Sequence, residues 1–240
     1  MSNAKKKRKL FEGKTKALFE TDNPEQLILA FKDEAGEAAG VVEHKGEINS
    51  QISALLFRYL EGYHVATHFL AEAGRDAILV RQLNMIALAV VTHCVASGAT
   101  ARRLGVKEGT VLQPPVVEYF LKDESAKKTP LDRKDLLSLG LLSSEELQQL
   151  VRLTAKAVAL LSSYFERRGL VLAACRLEFG RYKNRLVLGD ELSLASFHLR
   201  DRTTGENYDL LEARQEMAAL RRIYGILSQR ILTRRERTAV

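Results

Sequence analysis

Apolar residues recur along this chain with two periods, and the period assigns the elements. Short apolar runs of strand length cover Leu27–Lys32, Ile78–Leu83, Met85–Thr92 and Val116–Leu121. Leu10–Phe19 reads as strand, tight turn, strand, with Gly13 permitting a positive φ and close backbone approach. Asp33–Val42, small and acidic, reads as a loop, and Pro114-Pro115 as a stop before the next strand. The longer period marks helices. Ile48, Ile52, Leu55, Leu56, Tyr59 and Leu60 share one helical face behind Lys45-Gly46. Ser143-Ser144-Glu145-Glu146 has the spacing of a capping box, and the stripe behind it runs through Leu150, Val158, Leu161 and Phe165 to Gly169. A closing helix is expected over Leu210–Leu232.

Leu170–Leu192 reads as a hairpin with Tyr182-Lys183-Asn184-Arg185 at its turn and two acids, Glu178 and Asp190, on its arms. The loop length sets how those acids relate. A two-residue loop at 183–184 sets position 178 against 189 and sends the acids to opposite faces. A three-residue loop, 183–185, sets 178 against 190. The second register is the one expected, because it brings both carboxylates within reach of one cation. Opposed side chains lie about 5 Å apart, and Mg²⁺ carried by nucleotide phosphates needs only one or two protein carboxylates.

Composition narrows the class. At 240 residues, 46% hydrophobic and 28% charged, the chain can bury a sizeable core. It contains no apolar run long enough to span a bilayer. MSNAKKKRK has the charge of a signal peptide without its apolar segment, so a cytoplasmic location is expected. Much of the net charge of +7 sits in Lys5–Lys9 and in Arg234, Arg235 and Arg237, which read as solvated ends, so nucleic acid is not the expected partner. Cys94 and Cys175 fit no metal spacing, and Cys175 is expected to be packed in a strand. His64 and His68 would share a strand face, but with no acid or cysteine beside them no metal site is read there. Nor is there a Walker A loop around Gly13.

Two segments of the hairpin, Arg176-Leu177-Glu178-Phe179-Gly180 and Val187-Leu188-Gly189-Asp190-Glu191-Leu192-Ser193, resemble paired segments of the phosphoribosylaminoimidazole-succinocarboxamide synthase (SAICAR synthetase) family. Leu10-Phe11-Glu12-Gly13-Lys14-Thr15-Lys16 and Arg103-Leu104-Gly105-Val106-Lys107-Glu108-Gly109-Thr110 extend that likeness. The resemblance implies an α+β fold, with a basic tail over 1–9, a small N-terminal antiparallel sheet domain with one helix over 10–84, and a larger sheet-and-helix ATP-binding domain over 85–240. It implies an ATP-dependent ligase of purine biosynthesis that joins an imidazole ribotide carboxylate to aspartate through an acyl phosphate. ATP and Mg²⁺ are the implied cofactors. Gly13, Lys14, Lys16, Arg176, Glu178 and Asp190 are the implied nucleotide contacts, with Glu178 and Asp190 on the metal. A homo-oligomer is compatible with the family.

On the substrate side the chain departs from the family pattern. Alanine stands for an acid at Ala89, Ala174 and Ala195 and for a serine at Ala99, and histidine stands for arginine at His93 and His198. Lys127-Lys128-Thr129-Pro130 replaces an acidic motif. Neutral imidazole, with an ordinary pKa of about 6.5, lacks the charge and fork that a guanidinium gives a phosphate. The departures imply altered or lost standard activity, a paralogue acting on another carboxylate, or a non-catalytic nucleotide-binding protein. If histidine serves at all, it serves protonated, and activity should rise as the pH falls towards about 6.

Overall fold

The computed structural model describes residues 4–35, 40–122, 129–213 and 215–233. Strands β1 (Lys9–Glu12), β2 (Lys16–Glu20) and β3 (Gln26–Phe31) precede helix α1 (Lys45–Gly62), and β4 (Phe69–Glu72) and β5 (Ala77–Arg81) follow it. These strands form an antiparallel sheet in the order β1-β2-β3-β5-β4. Next come β6 (Asn84–Val95), α2 (Gly98–Leu104), β7 (Val111–Leu121), α3 (Arg133–Ser138) and α4 (Ser144–Glu166). The chain closes with β8 (Leu170–Tyr182), β9 (Arg185–Gly189), β10 (Phe197–Asp201), β11 (Asn207–Tyr208), α5 (Leu210–Ala213) and α6 (Met217–Leu232). The second sheet is ordered β11-β10-β8-β6-β7, with β9 paired to β8. The two sheets part between Arg81 and Asn84, and one cluster of buried apolar residues, including Leu29, Phe57, Leu88, Phe165, Phe179 and Leu227, runs through both.

Local chemistry accounts for these elements. α4 starts on a reciprocal capping box, in which Ser143 Oγ accepts from Glu146 N–H and the Glu146 carboxylate accepts from Ser143 N–H at 2.8 Å. Its apolar stripe lies against β8, whose Cys175, Leu177 and Phe179 point into the core and whose Ala174, Arg176 and Glu178 point to the other face. Burial in that apolar layer pushes the Cys175 thiol well above its ordinary range. α6 is tied down at its end, where Tyr164 donates to Ile231 O at 2.9 Å and Arg230 pairs with Asp201 at 2.7 Å.

Several sequence expectations give way here. Lys7 N–H donates to Glu20 O and Arg8 O accepts from Glu20 N–H, both at 2.9 Å, so from Lys7 onward the expected basic tail continues the β1 ladder. The Pro114-Pro115 stop does not occur. β7 runs through both prolines because it is an edge strand, where a missing N–H need not face a partner. The closing helix is two helices, α5 and α6, separated between Ala213 and Met217. Gly13 does not take a positive φ. Its constraint is space, since a Cβ there would meet the Phe11 ring at 3.1 Å. Lys127, Lys128 and the basic residues after Thr233 lie outside the described residues.

Candidate nucleotide and substrate sites

The β8-β9 turn is the two-residue one. Tyr182 pairs with Arg185 and Glu178 with Gly189, while Lys183 and Asn184 take φ of 47° and 61°. The expected three-residue register is therefore incorrect. The turn follows from Asn184 in the left-handed region, which asparagine tolerates better than most residues. The parity argument from this register does not extend to Asp190, which lies one residue beyond β9 with a φ of 58°. Glu178 pairs with Lys122 Nζ, and Lys122 and Asp190 line the same cavity. The left-handed residue beyond β9 thus brings Asp190 to a cavity that the partner of Glu178 also lines, a relation that strand alternation does not describe.

Lys16 leaves β2 to pair with Asp190 and, at 2.9 Å, with Glu191. Burial alone would lower the lysine, but Glu191 and Asp190 outweigh it and raise its pKa. Burial likewise opposes ionisation of Asp190, and Lys16 prevails, holding the carboxyl below its ordinary range. Glu178 is only 4% exposed. Its other oxygen takes Arg176 Nη2 at 2.9 Å and Nε at 3.2 Å. Of the six nucleotide-side residues read from the sequence, Lys16 meets Asp190 and Arg176 meets Glu178. Gly13 closes the β1-β2 turn, its N–H donating to Lys16 O at 2.8 Å, and Lys14 is exposed at the tip.

A cavity of about 330 Å³ opens between the sheets at this point. Leu18, Leu27, Leu29, Val80, Leu83 and Met85 give it apolar walls, and Lys16, His68, Lys122 and Asp190 give it a polar end. Its size and mixed lining suit a small organic anion with a flat apolar part. The intersheet connection can lie this close to the hairpin because Gly180 and Gly189 carry no side chain. A Cβ at Gly180 would meet Leu83 Cβ at 2.8 Å, and one at Gly189 would meet Leu83 Cδ1 at 2.9 Å.

His68, Lys122 and Glu191 were not picked out from the sequence as site residues. His68 enters through a parallel bridge between Thr67 and Leu188: His68 N–H donates to Leu188 O at 2.9 Å and Leu188 N–H to Ala66 O at 3.0 Å. Such a long-range bridge leaves no trace in local periodicity. The Thr67-His68-Phe69 run beside a strand was the available signal, and it was weighed only for a metal.

Four of the substituted positions share one face of the second sheet. His93, Ala174 and His198 are register partners across β6, β8 and β10, and Ala89 lies directly opposite Glu178. Ala174, Ala195, His198 and Arg176 line a second cavity of about 260 Å³. Ala99 lies in the first turn of α2. Neither histidine is idle. His198 Nε2 bonds Asn207 Oδ1, and His93 Nε2 lies 2.8 Å from Glu118 Oε2 on β7, whose other oxygen takes Arg103. Glu118 was passed over in the sequence because it sat within an ordinary edge strand.

Two antiparallel sheets with helices and a cavity between them, with Lys16 and Asp190 at its polar end, define an α+β protein. The SAICAR synthetase profile matches residues 9–225, and the chain belongs to that family. The phosphoribosylaminoimidazole-succinocarboxamide synthase of Methanoculleus marisnigri is 36% identical over 228 residues, 93% of this chain and 95% of that protein. That of Acidithiobacillus ferrooxidans is 34% identical over 92% of this chain and 94% of its own. The crystal structure of the Ehrlichia chaffeensis synthase superposes with a TM-score of 0.86 at 27% identity, covering 95% of this chain and 100% of that one. A type-2 SAICAR synthetase solved in complex with ADP gives 0.85 at 30% identity, covering 92% and 96%. Among the described residues, no helix is long and apolar enough to cross a membrane.

Proposed function

We propose that this protein is an ATP-dependent carbon–nitrogen ligase whose nucleotide half is intact and whose acceptor half has diverged from the standard SAICAR synthetase substrate. The observation that carries this reading is the contrast between two sets of ion pairs. Lys16 and Lys122, both at the apolar cavity, pair with Asp190 and Glu178, and these ion pairs are poised for exchange onto phosphate and metal. On the acceptor face, the position at which the family resemblance calls for arginine is His93, already engaged by Glu118. A relative solved with ADP supports a nucleotide as ligand, and the apolar cavity with its lysines is where we place it. Its apolar walls would take the base, and Gly13, Lys14, Lys16 and Lys122 the phosphates.

Mg²⁺ fits the donor set, since the acids offered are hard oxygens and two carboxylates suffice when phosphates supply the rest. Glu178 and Asp190 would hold it, with Arg176 and Lys122 paired to Glu178. When bound, it would neutralise charge on the transferring phosphoryl group. The chain's own part is positioning and electrostatic. A carboxylate substrate would be set against the terminal phosphate, an acyl phosphate would form as ADP leaves, and an amine would displace phosphate from the acyl carbon. A small-molecule acid and amine in the cytoplasm remain the expected partners, and self-association remains compatible with the family.

The test is titration calorimetry with Mg-ATP alone, alongside ADP release with the standard imidazole carboxylate and aspartate. The expected result is binding with poor or no turnover of that pair. Robust turnover at neutral pH would restore the ordinary synthase, and absence of Mg-ATP binding would favour a non-catalytic role.

A further inference from the structure

Arg200 follows His198 by two residues on β10. Phe197, Leu199 and Asp201 of that strand are buried while His198 and Arg200 are partly exposed, so these two share one face of it. That face is the one on which His198, Ala174 and His93 line up across β10, β8 and β6. A guanidinium is therefore present on the acceptor face, displaced by two residues, about 7 Å along the strand, from a position at which the family resemblance calls for one.

Its contacts do not account for it as part of the scaffold. Arg103 and Arg176, which border the same substituted positions, are held by Glu118 and Glu178, and Arg176 gives both Nε and Nη2 to its carboxylate, at 3.2 Å and 2.9 Å. Arg200 has no such anchor. Its Nη2 stands 3.7 Å from Glu108 Oε1, beyond hydrogen-bond distance, and the Glu108 side chain, in the loop between α2 and β7, is 66% exposed. Its Nε is buried without a hydrogen-bond partner among the described residues. Its Nη1 lies beside Gly109, where an added Cβ would stand 3.8 Å from it. An arginine that holds a fold together fills its donors, and a loose pair with an exposed carboxylate contributes little. The Arg200 side chain keeps 17% of its exposure, so it can be met from solvent. An incoming oxyanion would displace Glu108 at small cost and take two donors at once, the geometry by which a guanidinium selects phosphate and carboxylate.

We infer that Arg200 is the anion-binding residue of the acceptor half, taking the phosphate monoester or carboxylate of the substrate in place of the arginine absent at position 198. This inference rests on the reading of that face as the acceptor half of a ligase. Ribose 5-phosphate and succinate serve as probes of the two anions. Each is titrated by calorimetry into wild type, Arg200→Gln, Arg200→Lys, Glu108→Gln and the double variant of Arg200→Gln with Glu108→Gln, and Mg-ATP is titrated into each protein as well. Arg200→Gln should lower the affinity for a probe by about tenfold or more, with Mg-ATP affinity unchanged, and Arg200→Lys, which keeps the charge without the fork, should fall between. Glu108→Gln should raise probe affinity about twofold to threefold, and that gain should vanish in the double variant, a coupling that a merely structural arginine would not produce. A loss confined to ribose 5-phosphate names the group as a phosphate monoester, a loss confined to succinate names it as a carboxylate, and a loss with both assigns Arg200 to either oxyanion. Equal affinities of wild type and Arg200→Gln for both probes would overturn the inference, as would a Glu108→Gln gain that survives in the double variant. A wild type that binds Mg-ATP and neither probe would overturn it too. Should Arg200→Gln not fold, Glu108→Gln decides, because Glu108 is exposed: no gain with either probe counts against the inference. A wild type that binds a probe through Arg200 but not Mg-ATP would leave the anion site standing and remove the ligase reading.

Discussion

His93 Nε2 lies 2.8 Å from Glu118 Oε2, with Arg103 on the other oxygen of that carboxylate. Glu118 thus takes up both His93 and Arg103 on the acceptor side. Glu118→Gln removes the counter-charge of Arg103 and the carboxylate facing His93, so it should raise affinity for a ribose phosphate monoester several-fold. Monoester affinity of the two proteins at neutral pH checks this. Equal affinities would show that Glu118 does not shield the site.

Lys16 and Asp190 form the partly buried pair at the cavity. Lys16→Met leaves Asp190 without its main counter-charge, a change that typically costs about 3–5 kcal/mol for a buried pair and less here, where each side chain keeps about a fifth of its exposure. Mg-ATP affinity should fall by at least about a hundredfold. Asp190→Asn should weaken magnesium-dependent binding more than metal-free binding. Calorimetry with and without Mg²⁺ separates the two effects, and equal losses under both conditions would remove Asp190 from the metal.

How much of this was legible in the sequence depended on the range of the interaction. Period and caps placed α1, α4 and most strands, because they report local burial. Lys16, Glu178, Arg176 and Asp190 came from motif resemblance, and the structure places them in two pairs, Lys16 with Asp190 and Arg176 with Glu178. The relation between Glu178 and Asp190 was misread because it turns on a left-handed residue outside the strand, where alternation no longer applies. His68 and Glu118 were missed because each acquires its role from a strand pairing far away in sequence. The basic run misled because composition cannot distinguish a solvated tail from an edge strand until Glu20 is seen pairing with it.

That last difference has a consequence at the N-terminus. Deleting residues 1–9 removes the Lys7 and Arg8 backbone bonds and the first residue of β1. The exposed Arg8–Glu20 and Lys7–Asp22 pairs contribute little themselves. Two backbone bonds at about 1 kcal/mol each should lower the thermal midpoint by roughly 4–8 °C in a chain of this size. A midpoint within about a degree of wild type would restore the reading of this segment as a tail.

The β8-β9 turn can be tested by chirality. Asn184 has a φ of 61°, where a β-branched side chain is strongly disfavoured and glycine is not. Asn184→Val should destabilise by roughly 1–2 kcal/mol and Asn184→Gly should be neutral or mildly stabilising. Because this turn sets the Glu178–Gly189 register, Asn184→Val should also weaken Mg-ATP binding. Denaturant midpoints and calorimetry of both variants provide the check, and a valine variant as stable as wild type would contradict the two-residue turn.

The buried His68 also predicts how stability depends on pH. Its folded pKa is about 4 against an ordinary 6.5, mainly because burial disfavours the charged ring. Below the ordinary value the unfolded chain binds a proton that the folded chain does not, so stability is full above about 6.5 and declines as the pH falls towards 4. The window is bounded at both ends, since below about 4 both states are protonated and this contribution stops changing. The loss across it approaches roughly 3 kcal/mol by the free-energy equivalent of a pKa unit. His68→Leu has no such proton to take up and should lose less stability over that range, the difference between the two curves growing as the pH falls. Urea midpoints of both proteins between about pH 7 and 4 measure it. Parallel curves would mean that the ring takes up its proton in the fold as readily as in the unfolded chain.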